Sequence, residues 1–137
     1  MASEDQFLNI AHRGAGSRLG SRQLLPLTVN GNGTVSGIMT LPAGCWLHSV
    51  AIETPSAISG TPTSALVRVG ISLAGQEIVA DVDAKAQGHI AATIVAGFDA
   101  VAGLGNVTSL FLQAVTSGGT APAGTINILV GYDAPVL

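Results

Sequence analysis

The sequence predicts an all-β protein: an antiparallel β-sandwich, a jelly roll of about eight strands, preceded by an extended N-terminal arm. Three observations point there. Apolar and polar residues alternate with period two in several runs, which is the pattern of strands with one buried face. Clusters of Gly, Pro, Asn, Ser and Thr separate those runs. No long stretch carries a 3.6-residue period, so helices do not alternate with the strands and a parallel sheet is excluded.

Gly33–Glu53 shows the alternation most clearly. Val35, Gly37, Met39 and Leu41 alternate with Thr34, Ser36, Ile38 and Thr40. Beyond Leu41-Pro42-Ala43-Gly44, the residues Trp46, His48, Val50 and Ile52 alternate with Cys45, Leu47, Ser49 and Ala51. Proline presets one turn dihedral and glycine accepts a positive one. The expectation is two long strands folded on that turn as a hairpin, with His48 on the face of Trp46, Val50 and Ile52.

In chain order, residues 1–23 read as the arm. They hold three of the four arginines, Arg13, Arg18 and Arg22, and lack strand periodicity. Glu4–His12 carries Phe7, Leu8 and Ile10 without a firm helix cap. Such a segment orders against a partner rather than by itself. The sandwich domain is 24–137. It opens with Leu24–Val29, where Pro26 marks an edge or a strand start. Asn30-Gly31-Asn32-Gly33 is a turn. After the Gly33–Glu53 pair comes the loop Thr54–Ser64. Further strands are expected at Leu66–Leu73, Glu77–Val82, His89–Ala96, Val107–Val115 and Gly124–Tyr132. The connections between them are Ala74-Gly75-Gln76, Asp83–Gly88, Gly97–Asn106 and Thr116–Ala123.

Composition narrows the function. The chain has 137 residues, enough for one domain with a sizeable core. Only 9% of residues are charged while 47% are hydrophobic, and the net charge is −3. A surface so poor in charge is expected to be partly covered, in an oligomer or a larger assembly. The single cysteine, Cys45, forms no internal bridge and is expected as a buried thiol. No apolar run reaches the roughly 18 residues of a membrane span, and the first residues lack the apolar core of a secretory signal.

Chemistry-bearing patterns are sparse. Gly14, Gly16 and Gly20 miss the dinucleotide spacing by one residue, and no βαβ unit surrounds them. His12, His48 and His89 share no metal-ligand spacing. Asp81 and Asp83 would share one strand face about 6.5–7 Å apart, a separation open to an ion or to glycoside chemistry. With Lys85 nearby, a solvated strand end is the stronger reading. No Gly-x-Ser-x-Gly elbow occurs, and the aromatics are dispersed. Arg13, Arg18 and Arg22 would give weak, salt-sensitive nucleic-acid binding at most. Neither an enzyme nor a cofactor is expected.

Four segments resemble small tailed-bacteriophage structural proteins: Thr34–Gly44 (TVSGIMTLPAG), Leu66–Ser72 (LVRVGIS), Asp81–Gly88 (DVDAKAQG) and Thr125–Tyr132 (TINILVGY). The resemblance implies a β-sandwich subunit of the virion, of the capsid decoration (cement) type. It would sit on the capsid surface as a homo-oligomer, a trimer, bound to the major capsid protein. Phe7, Leu8, Ile10, Arg13, Arg18 and Arg22 are the residues expected to make that contact. A tail, spike or fibre-base component is the alternative. A glycan-binding module using the loops Thr54–Ser64 and Thr116–Ala123 is a third reading.

Overall fold

The computed structural model describes residues 18–95 and 109–135. They form eight strands: β1 (Arg18–Asn30), β2 (Gly33–Thr40), β3 (Trp46–Thr54), β4 (Ser64–Gly70), β5 (Val79–Asp83), β6 (Gly88–Ala92), β7 (Ser109–Ser117) and β8 (Ala123–Pro135). No helix occurs among the described residues. Each early strand pairs antiparallel with its late counterpart: β1 with β8, β2 with β7, β3 with β6 and β4 with β5. Strand β8 also pairs with β3, and β7 with β4. The result is two four-stranded sheets, β1-β8-β3-β6 and β2-β7-β4-β5. This is the expected jelly-roll sandwich.

The expected hairpin over Gly33–Glu53 does not form. β2 and β3 are both real strands, but they lie in different sheets. The residues between them cross from one sheet to the other, and Leu41 and Cys45 at either end are buried in the core. A tight hairpin would leave those two side chains at a solvent-facing tip. The local alternation reports a buried face and carries no information about which strand lies alongside.

The arm boundary also shifts. β1 begins at Arg18, so residues 18–23 are ladder residues paired with 130–135 of β8. Five alternating small and polar residues hid this strand, because β8 supplies its partners from the far end of the chain. Residues 1–17 lie outside the described residues, as does the expected loop Gly97–Asn106. Strand β1 is an edge, as Pro26 requires.

Alternate residues of both sheets meet between them. Leu47, Ile52, Leu110, Leu112, Ile126 and Ile128 are wholly buried there. Each such side chain contributes about 1.5–3 kcal/mol of transfer free energy. Cys45 is a buried free thiol.

Strand β3 contains the second departure from simple alternation. Leu47 lies opposite Tyr132, and Ser49 lies opposite the next residue, Gly131. His48 is therefore the extra residue of a β-bulge. Before the bulge the inward residues are Cys45 and Leu47; after it they are Val50, Ile52 and Thr54. His48 does not share the face of Val50 and Ile52. It projects outward and is exposed. The bulge presses β3 onto β8: a Cβ added at Gly131 would lie 2.7 Å from Ser49 Oγ.

Candidate interaction surface

Three regions carry the polar chemistry of the described residues. The first is a shallow groove of about 310 Å³ on the outer face of the β1-β8-β3-β6 sheet. Ser21, Arg22, His48, Gly131 and Tyr132 line it. Arg22 arrives from β1 opposite Gly131, whose missing side chain opens the floor. The bulge delivers His48, whose Nε2 lies 2.9 Å from Asp133 Oδ2 of β8. Gln23 Nε2 donates to the Tyr132 hydroxyl at 3.3 Å. A guanidinium and an imidazole on one groove wall suit a carboxylate from a partner protein.

The second region is one end of the sandwich, where three connections are tied together. Thr120 N–H donates to Gly60 O at 2.8 Å, and Ser59 N–H to Ala123 O at 2.9 Å. Gly31 N–H donates to Pro122 O at 2.7 Å. The Asn32 side chain bonds Gly119 in both directions, at 2.8 and 3.1 Å. The loops expected at Thr54–Ser64 and Thr116–Ala123 thus form one hydrogen-bonded platform rather than two separate tips.

The third region holds the charges of β4 and β5. Arg68 grips Asp81 with two parallel bonds, Nε to Oδ1 at 2.7 Å and a terminal nitrogen to Oδ2 at 3.0 Å. Asp83 accepts the Ala65 and Lys85 N–H groups at 3.1 Å each and lies 3.7 Å from Lys85 Nζ. Each carboxylate is engaged by its own partners, which supports the reading as a structured strand end over a paired catalytic site. Among the described residues no cluster of three or more His, Cys, Asp or Glu could hold a metal ion. In the β4–β5 connection, Glu77 accepts the Ile71 N–H at 3.0 Å and the Ser72 hydroxyl at 3.2 Å. The backbone N–H of Ile71, then its own N–H, then Ser72 hold its carboxyl below the usual carboxylate range, against a smaller opposing effect of burial.

Of the six residues expected to grip a partner, Phe7, Leu8, Ile10 and Arg13 lie outside the described residues. Arg18 is the first residue of β1, opposite Pro135. Arg22 is exposed in the groove. Sequence reasoning assigned His48 to packing; the bulge that brings it to the groove has no sequence signature in a regular alternation.

Neither a family model nor a curated protein matches the sequence. Solved structures do match the fold. A chain of the cyanophage Pam1 capsid asymmetric unit superposes with a TM-score of 0.54 at 22% identity, over 89% of this chain and 90% of that one. A chain of the capsid of Ralstonia phage GP4 gives 0.56 at 18% identity, over 90% and 88%. A chain of the acid-stable capsid of Helicobacter pylori bacteriophage KHP30 gives 0.48 at 15% identity, over 87% and 94%. The architecture is thus that of sandwich chains found in phage capsid structures, spanning both partners nearly end to end in the first two.

Proposed function

We propose that this protein is a structural component of a phage virion, a capsid decoration (cement) protein that binds the head shell as a homo-oligomer, a trimer. The observation that carries the reading is the near full-length fold match to chains of two phage capsid structures. Two features of the chain support it. The surface is poor in charge, which suits a protein packed among neighbours. The polar residues described above bond to one another in structural networks, and the reading is of a non-enzymatic protein. Residues 1–17, with Phe7, Leu8, Ile10 and Arg13, act as the shell-binding arm, and Arg18 and Arg22 extend it along β1. The partner is the major capsid protein.

Quantitative mass spectrometry of purified particles tests this. Copy number comparable to the major capsid protein is expected. A small minority copy number would move the protein to a tail or vertex, and absence would end the virion reading. Deleting residues 1–17 is expected to leave a folded sandwich that no longer co-sediments with shells. Undiminished binding by that truncation would remove the arm from the account.

A further inference from the structure

The charges of this protein are segregated by the fold. β2 and β7 contain no Asp, Glu, Lys or Arg, and neither does β1 beyond Arg22 or β8 before Asp133. These four strands form one half of the sandwich, because β1 and β8 adjoin in one sheet and β2 and β7 in the other. The two halves of this side are in contact: Gln23 Nε2 donates to Thr40 O at 2.9 Å, and Leu25 packs against Gly37. The opposite half holds Glu53, Arg68, Asp81, Asp83 and Lys85.

The uncharged half ends in two edge strands, β1 and β2. Leu24 on β1 is 54% exposed and Ile38 on β2 is 58% exposed. Ile38 lies opposite Phe111, itself partly exposed. Edge strands of proteins that stay apart carry a charge, a proline or a bulge as a guard. β1 has Pro26. β2, with the sequence GTVSGIMT, has none of these.

We infer that the β1–β2 side is the surface through which copies of this chain meet one another. The occupant is a second copy because the surface matches itself electrostatically. Two protomers with net charge −3 each can dock here without bringing carboxylates together, since those lie on the far half and at the ends. A partner recognised through charge would require ionised groups on this side. The inference rests on the homo-oligomer reading above and assigns its interface.

Sedimentation velocity on the full chain, from about 1 to about 100 μM, tests it. The wild type is expected at a multiple of the protomer mass. Ile38→Lys and Leu24→Lys each place an ammonium in the contact and are expected to weaken self-association about a hundredfold or more. Leu73→Lys is the control: Leu73 is 68% exposed in the β4–β5 connection, on the charged half, and its replacement leaves assembly unchanged. Ile38→Thr retains β-branching and is expected to weaken assembly if the lysine variant misfolds by circular dichroism. A wild type that is monomeric throughout overturns the oligomer reading and this surface together. An oligomer indifferent to Ile38 and Leu24 overturns the surface alone. A monomer whose Ile38→Lys variant loses shell binding instead makes the shell the occupant, and also overturns it.

Discussion

The platform at the end of the sandwich makes a quantitative prediction about Gly60. This residue adopts φ +85°, and a methyl group there would lie 2.5 Å from Thr120 O and 2.8 Å from Pro122 Cα. Both contacts are with backbone, so neither can swing aside. Replacing Gly60 with alanine therefore adds a left-handed backbone cost of about 1 kcal/mol. It also separates the loops enough to lose the Thr120 N–H to Gly60 O bond, about 1 kcal/mol more. Crowding against backbone adds about 1 kcal/mol again. Gly31 is the internal reference. It has φ +98° in the same platform, but nothing lies within 4 Å of its added Cβ. Gly31→Ala thus isolates the dihedral cost, about 1 kcal/mol. For a chain of this size 1 kcal/mol moves the melting temperature by about 3–5 °C. Differential scanning calorimetry should show Gly60→Ala melting about 10 °C below wild type and Gly31→Ala about 4 °C below. Equal shifts would refute the argument, because the close approach would then cost nothing.

Three further outcomes follow from the same structure. Deleting His48 removes the bulge and forces Cys45 and Leu47 to the outer face, so the domain should lose about 3 kcal/mol or more in urea titration; a deletion variant of native stability would contradict the bulge assignment. Leu112→Ala leaves a cavity at the centre of β7, where Leu112 is fully buried, and should cost about 2–5 kcal/mol by the same titration. Glu77 has a carboxyl held below its ordinary value near 4.5, so the folded state binds this proton less readily than the unfolded chain. Its stabilising effect is complete above that ordinary value and is lost as pH falls through the lowered folded value. The stability gap between wild type and Glu77→Gln should accordingly be constant above about pH 5.5 and shrink below pH 4.5. A gap independent of pH across that range would show that the Ile71 and Ser72 bonds do not depend on the carboxylate.

Much of the architecture was legible along the chain, and the parts that were not share a cause. Strand existence follows from the pleat: successive side chains point to opposite faces, so a buried face writes itself as period two within one segment. That local rule located eight strands and the inward residues of β2, such as Met39 and Leu41. Turn chemistry at Asn30–Gly33 and Thr116–Ala123 marked the connections for a similarly local reason. Partner choice is different. A ladder bond joins residues far apart in sequence, so β2 pairing with β7, not β3, leaves no mark within β2. The strand character of residues 18–23 was hidden likewise, because it depends on β8 at the other end of the chain.

The functional surface divides along the same line. Sequence by itself determined that the protein is a charge-poor β-sandwich without a motif for catalysis, and it showed two long stretches, 23–52 and 100–132, free of acidic and basic side chains other than His48. Only the tertiary structure decided what those stretches mean. Pairing of β1 with β8 and β2 with β7 gathers them on one side of the sandwich and collects the charges of β4 and β5 on the other. It also decided the place of His48. An extra residue in β3 is recognisable only against the regular strand it faces, and that strand, β8, lies some eighty residues away in the chain. Faces are set by local sterics and burial, whereas neighbours are set by long-range hydrogen bonding that no single segment encodes.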